Sequence, residues 1–249
     1  MSGHSKWSTI KRKKAKEDAR RGKIFTKLAR EIEIAAREGG GDPEINFGLR
    51  LAIDRAKEAN MPNDNIDRAV KRGTGEDRNA AKMEKISYEG YAPHGVALIL
   101  STITDNRNRT VSDIRHILTK HGGSMGQEGS VAWQFQQISY FTIAKDICEF
   151  DDLFEIALDT GADDVIEEED YFEILGPVDV FKKTHDALKA AGIPVEDSGL
   201  RMEPNQELVL DLEETIKVMN VIESLEDLDD IQRVYTNLKI TDEAMEKVG

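Results

Sequence analysis

Cysteine occurs once in the 249 residues, at Cys148. An intramolecular disulfide is thereby excluded, and a reducing compartment suits the chain. The neighbours Asp146, Glu149, Asp151 and Asp152 disfavour a thiolate, so a nucleophilic role is not expected of it either. No apolar run approaches the ~20 residues of a membrane-spanning helix. The positively charged start has no apolar stretch behind it and does not read as a secretory signal. Enzyme signatures are missing too: there is no Walker A sequence, no G-x-G-x-x-G after a strand, no H-E-x-x-H and no paired C-x-x-C. No fixed-period repeat is found. These absences leave the expectation of a cytoplasmic, non-enzymatic protein with no cofactor, no metal and no membrane partner.

What is present is charge, unevenly spread. The net charge is −14, yet residues 1–78 carry 19 basic and 13 acidic side chains, whereas residues 79–249 carry 15 and 35. The first thirty residues, MSGHSKWSTIKRKKAKEDARRGKIFTKLAR, hold eleven Lys or Arg against Glu17 and Asp18. Cations clustered along one segment are the electrostatic footprint of nucleic-acid binding, because they neutralise phosphates and release condensed counterions. Lys6, Lys11, Arg12, Lys13, Lys14, Lys16, Arg20, Arg21, Lys23 and Lys27 are the candidate contacts. Trp7 and Phe25 interleave with them and offer rings on which a base can stack. Residues 1–22, polar and without a core of their own, read as an arm that orders on a phosphate-rich surface. The acidic remainder favours solubility and orients the basic end toward a polyanion.

Helical periodicity runs through Ile24, Leu28, Ile32 and Ala35 until Gly39-Gly40-Gly41. Asp42-Pro43 reads as the N-cap and first position of a second helix carrying Ile45, Leu49, Ala52, Ile53 and Ala56. Asn63 or Asp64 reads as the cap of a third, ended by Gly73. Beyond the polar connector 74–84 the period changes. Ile86, Tyr88 and Tyr91 predict a strand, and VALILSTIT (96–104) a central one. A helix over 107–121 follows, and then Val131, Trp133 and Phe135 alternate as a strand would. Strand 138–144, helix 149–160, strands near 163–167 and 171–175, helix 178–191 and strand 194–202 give β-α-β-β-α-β, the split order of a ferredoxin-like sandwich. A last helix (211–225) and strand (231–238) complete the sheet begun near residue 85.

The expected fold is therefore α+β: an N-terminal three-helix domain followed by two α/β domains, the last a ferredoxin-like unit inserted into the second. The boundaries read 1–22 for the basic arm, 23–78 for the helical domain, 79–137 plus 204–249 for the discontinuous α/β domain, and 138–203 for the inserted acidic one.

A second basic feature lies in Thr104-Asp105-Asn106-Arg107-Asn108-Arg109-Thr110, running from a strand end into a helix start, with Arg115 one to two turns on. Asn106, Arg107, Arg109 and Arg115 could meet phosphate there, since guanidinium forks and a helix N-terminus suit that anion. Asn106 or Asn108 as the helix cap, and pairing of the arginines with nearby carboxylates, are the structural alternatives, and the functional and structural readings both stay open. The acidic clusters 167–170 and 226–230 lack the spacing of a calcium loop; they read as solvated loops, the second also as a protein-recognition edge. Gly122, Gly123, Gly126 and Gly129 read as a helix end and tight turn rather than a phosphate cradle.

Gly3-His4-Ser5-Lys6-Trp7, Ile10-Lys11 and Arg21 to Leu28 resemble the opening of the YebC family, which is similar in turn to the mitochondrial translational activator of cytochrome c oxidase. GGGDPEINFGL (39–49), ANMPNDNI (59–66), TDNRNRT (104–110), KHGG (120–123), GADDV (161–165) and LEDLDDIQRVYTN (225–237) continue the resemblance in family order and spacing. It implies three domains, one helical and two α/β, and a non-enzymatic role in gene expression. Bacterial members are described as DNA-binding transcriptional regulators; the alternative is a ribosome-associated, RNA-binding translation factor. The partner implied is DNA or ribosomal RNA, with the ribosome or another protein open to the acidic domains. The absence of a helix-turn-helix pattern leans toward RNA, the family description toward DNA. The resemblance supplies no residue-level site, so the candidates above rest on charge and position.

Overall fold

The computed structural model describes residues 18–77 and 80–248, with side chains from Gly22 onward. The expected arm, up to residue 17, lies outside the described residues. Two compact units emerge, one made by Trp133–Gln206 and the other by the chain on either side of it. Three helices come first, α1 (Asp18–Gly39), α2 (Phe47–Glu58) and α3 (Asn63–Gly73). Then follow β1 (Glu84–Tyr91), β2 (Ala97–Thr104), α4 (Arg107–Lys120) and the short β3 (Ser124–Met125). The 133–206 unit holds β4 (Phe135–Ala144), α5 (Phe150–Thr160), β5 (Asp164–Glu167), β6 (Tyr171–Gly176), α6 (Phe181–Ala190) and β7 (Asp197–Pro204). The chain closes with α7 (Leu212–Glu226), β8 (Ile231–Thr236) and α8 (Asp242–Val248). The class is mixed α+β, with helices leading into two four-stranded antiparallel sheets.

The helical segment is built on small side chains. Ile32 and Ala36 of α1 pack with Leu49, Ala52 and Ala56 of α2, and with Met61, Ile66 and Ala69. Close approach is required where α3 ends, because a Cβ on Gly73 would stand 2.4 Å from the Glu33 carbonyl oxygen. The cap of α2 differs from the sequence expectation. Asp42 accepts backbone N–H groups of Ile45 and Asn46 in a turn, and the helix starts later, at Phe47. Asn46 is the cap: its Oδ1 accepts from the Leu49 N–H at 3.0 Å while its Nδ2 donates to the Ala35 and Gly40 carbonyls, each at 2.7 Å. One amide thus satisfies the end of one helix and the start of the next, which a carboxylate at Asp42 cannot do. The cap of α3 is Pro62, with no side-chain hydrogen bond, and Asn63 and Asp64 lie inside the helix.

The first sheet has the order β3-β1-β2-β8. Its central strand β2 is the apolar run read from sequence, with Leu98 and Leu100 fully buried beneath Ile114 and Leu118 of α4 and Val218, Met219 and Ile222 of α7. The unanticipated α8 adds Ala244 and Met245 to the same core. Val131 to Phe135 do not form a single strand. Ala132–Gln134 make a 3-10 turn and Phe135 opens β4. Glu89, nearly buried on β1, takes the N–H groups of Gly129 (2.6 Å), Val131 (2.6 Å) and Ala132 (2.9 Å) on its carboxylate, so this backbone curls around one side chain instead of pairing in a ladder.

The 133–206 unit is a β-α-β-β-α-β sandwich with strand order β5-β6-β4-β7. Its helices close over Phe141, Ile143, Phe172 and Ile174, with Leu153 and Ala157 from α5 and Leu188 from α6. Entry and exit strands pair along their length, from Phe135↔Pro204 to Thr142↔Asp197. Arg201 of β7 donates to both carboxylate oxygens of Glu173 (2.6 and 3.0 Å) and lies 5.0 Å over the Tyr140 ring.

Candidate nucleic-acid interface

The segment TDNRNRT turns β2 into α4 through its own side chains. The Thr104 hydroxyl accepts the Asn106 N–H at 2.9 Å, and Asn106 caps the helix by accepting the Arg109 N–H at 3.1 Å. The cap fixes where the arginines emerge. Arg107, 66% exposed at its side chain, meets Glu84 at 2.5 Å. Arg109 meets Asp105 at 2.7 Å and Asp230 at 3.1 Å. Arg115 makes no hydrogen bond or ion pair among the described residues.

Between β1 and α4 opens a pocket of about 470 Å³ lined by Ile86, Tyr88, Arg107, Asn108, Val111, Ser112 and Arg115. Arg107, Val111 and Arg115 follow at i, i+4 and i+8, and Asn108 and Ser112 form the adjacent row, so one helix face supplies two guanidinium groups, an amide and a hydroxyl. Tyr88 adds a phenol from the strand. Burial pushes its pKa up, with Asp230 and Glu84 acting in the same sense and Arg107 opposing, so the hydroxyl keeps its proton and can donate. Guanidinium, amide and hydroxyl donors around an open pocket suit phosphate and sugar oxygens.

A different role falls to Lys23, Lys27 and Arg30 of α1. Lys23 pairs with Asp227 at 3.0 Å, and Lys27 donates to the Glu226 carbonyl at 2.7 Å. Burial lowers the Lys27 pKa against the opposing pull of Glu226, Asp227 and Asp229. Arg30 donates to the carbonyls of Asp229 and Ile103 and meets the Asp230 carboxylate at 2.9 Å. Asp230 is itself buried, with Thr110 at 2.7 Å and Thr104 at 3.1 Å donating to it as well. Burial alone would raise its pKa, but the hydrogen bonds from Thr110 and Arg109, the charge of Arg30 and the Thr104 hydroxyl outweigh that and hold the carboxyl below its usual range. The cluster 226–230 is thus no free acidic loop. It is the counter-charge that seats α1 beside the first sheet.

Of the residues singled out in the sequence, the structure gathers Arg107 and Arg115 at one pocket, with Asn106 capping the helix that carries them. Arg109 is turned to Asp230, and Lys23 and Lys27 are engaged by the 226–227 segment. Arg20 and Arg21 fall on α1, with side chains beyond those described, while Lys6, Trp7, Lys11, Arg12, Lys13, Lys14 and Lys16 lie outside the described residues. Sequence reasoning missed Tyr88, Asn108 and Ser112; the four-residue spacing of Asn108 and Ser112 was the available signal. Among the described residues no three His, Cys, Asp or Glu side chains are placed to hold a metal, and no helix is long and apolar enough to cross a membrane.

These features define a class first: a helical segment, two antiparallel α/β layers and an arginine-lined pocket on a strongly acidic chain. Two family models then match, the TACO1/YebC protein N-terminal domain over residues 5–76 and the TACO1/YebC second and third domain over residues 83–238. The chain belongs to the TACO1/YebC family. A relative in Syntrophus aciditrophicus, named a probable transcriptional regulatory protein, is 48% identical over the full length of both chains. One of the same name in Chloroherpeton thalassium is 50% identical, again over the full length of both. Among solved structures, the conserved hypothetical protein Aq1575 of Aquifex aeolicus superposes with a TM-score of 0.83 at 41% identity, covering 90% of this chain and 93% of its own.

Proposed function

We propose that this chain is a non-enzymatic, DNA-binding regulator of transcription, acting in the cytoplasm through its basic arm and the pocket between β1 and α4. The observation that carries the reading is Arg115, without a hydrogen bond or ion pair among the described residues, beside Arg107 at an open pocket, in a stretch of chain where acids outnumber bases 35 to 15. A cation that no described carboxylate engages, amid so many of them, suits an external anion. The relatives' names, at about half identity over the whole length, supply the transcriptional context. Lys6, Lys11, Arg12, Lys13, Lys14, Lys16, Arg20 and Arg21 would contribute most of the affinity by counterion release. Arg107, Arg115, Tyr88 and the α4 hydroxyl and amide would position the backbone without reading sequence.

Fluorescence anisotropy of labelled duplex DNA against the full chain, repeated at rising salt, tests this. Replacing Lys11, Arg12, Lys13 and Lys14 with Gln should weaken binding at least tenfold and flatten the salt slope by up to about four. Equal affinity of wild type and this variant removes the arm from the reading. Much tighter binding to a structured RNA than to duplex DNA would move the function to translation.

A further inference from the structure

The helix α5 of the 133–206 unit presents a second surface, apolar and acidic rather than basic. Phe150, Phe154 and Leu158 follow at i, i+4 and i+8. Phe150 packs into the core, whereas Phe154 is 51% and Leu158 72% exposed. The Phe150 and Phe154 rings stack with centroids 6.0 Å apart, so the stripe is continuous from the core outward. One step around the helix, Asp151, Glu155 and Asp159 form a parallel row of carboxylates, and α5 contains no basic residue. None of the three has an ion-pair partner among the described residues. Lys183 reaches Asp159 only through its backbone carbonyl, at 2.7 Å. The unit as a whole carries 18 acidic and 5 basic side chains.

We propose that this face of α5 is a docking surface for a cationic amphipathic segment of another protein, which lays apolar side chains on Phe154 and Leu158 and Lys or Arg along Asp151, Glu155 and Asp159. Two adjacent rows of different chemistry specify such a partner. Exposed aromatic and aliphatic side chains side by side favour burial against apolar groups, and unpaired carboxylates beside them select a positive rim and reject polyanions. The mode is that of an amphipathic helix laid on an apolar stripe. It gives the acidic unit a task distinct from the arginine pocket: one part of the chain meets phosphate, another meets protein.

The probe is a synthetic amphipathic peptide of Leu and Lys, fluorescently labelled and titrated with the full chain, with oligolysine as the control for charge alone. The Leu/Lys peptide should bind, and Phe154→Ser with Leu158→Ser should weaken it at least about tenfold, since burial of even one apolar side chain contributes that much. Asp151→Asn, Glu155→Gln and Asp159→Asn together should weaken it comparably, and oligolysine should bind less well than the Leu/Lys peptide. Both variants should keep the wild-type melting temperature and duplex-DNA affinity, which separates this surface from the proposed nucleic-acid interface. Should the apolar pair disturb folding, Leu158→Ser alone, at the more exposed position, still weakens binding. Peptide affinity unchanged in these variants would overturn the proposal, as would a self-associated wild-type chain that Phe154→Ser with Leu158→Ser dissolves, which would make the stripe a contact between copies.

Discussion

Arg30 of α1 and Asp230, the residue before β8, meet at 2.9 Å from opposite ends of the chain. Arg109 approaches the same carboxylate at 3.1 Å, and Thr104 and Thr110 donate to it. One buried carboxylate thus gathers the helical segment, the start of α4 and the last strand. Asp230→Ala should cost about 3 kcal/mol, the low end for breaking a buried charge pair because Arg109 is half-exposed and partly screened. The measurement is the urea midpoint at pH 7. A change near zero would mean that α1 is held without this carboxylate, by its apolar contacts and by the contacts of Lys23, Lys27 and Arg30 with Asp227 and the backbone carbonyls of Glu226, Asp229 and Ile103.

The same carboxylate makes stability fall in acid. Its folded-state pKa is depressed, so the unfolded chain takes up the proton more readily. The stabilisation is therefore complete above the unfolded value near 4 and is lost as pH falls through that value toward the lower folded one. Glu89 acts in the same direction. Burial works against its ionisation, but the N–H groups of Val131, Gly129 and Ala132, with the Ser130 hydroxyl, hold its pKa below the usual range. Urea midpoints taken from pH 7 down to pH 2 should drop below about pH 4.5 in wild type, and less steeply in Asp230→Ala.

Glu89→Gln offers a sharper contrast. The carboxylate serves Gly129 from one oxygen and Val131 and Ala132 from the other. An amide has only one acceptor oxygen, so its NH₂ must face an N–H group that is left without a partner. The expected cost is roughly 2 kcal/mol, with protease cleavage appearing first in the stretch 126–132 that Glu89 holds. Cleavage confined elsewhere would show that the loop is held by other contacts.

Much of the architecture was legible because burial imposes period. Leu98 and Leu100 on β2, or Ile32 and Ala36 on α1, are apolar at the spacing their elements require. What was not legible depends on partners distant in sequence. Glu226 to Asp230 read as a solvated acidic run because nothing local reveals that Lys23, Lys27 and Arg30 will arrive from α1. Val131, Trp133 and Phe135 alternate as a strand does, but Glu89 holds the backbone N–H groups of Val131 and Ala132 out of a ladder. Asp42-Pro43 offers a textually good cap, yet Asn46 makes three hydrogen bonds where Asp42 makes a turn. For the candidate site, Arg107 and Arg115 stood out by charge, whereas Tyr88 joins them only because β1 lies beside α4.

Arg115 and Arg109 should separate binding from stability. Arg115→Ala removes a cation that no described residue hydrogen-bonds or ion-pairs, so melting should be nearly unchanged while duplex-DNA affinity drops a few-fold and the salt slope falls by about one. Arg109→Ala deprives Asp105 and Asp230 of a donor and should lower the melting temperature first. Anisotropy and calorimetry on both variants check this. The reverse pattern would place the phosphate contact at Arg109.

The 133–206 unit should be removable. Its entry and exit run side by side: Phe135 pairs with Pro204, and the Asn205 N–H reaches the Gln134 carbonyl at 2.7 Å. Its core shares no residue with the two cores of the flanking chain. A short Gly/Ser linker in place of Trp133–Gln206 therefore spans a small gap, and closing a shorter loop lowers the entropy cost for the remainder. The shortened chain should unfold in one cooperative transition and keep its duplex-DNA affinity within about threefold, since Tyr88, Arg107 and Arg115 all remain. It should at the same time lose the Leu/Lys peptide, because α5 is gone. Loss of both activities together would mean that the acidic unit is needed to form the arginine pocket, and retention of the peptide would place the docking surface outside α5.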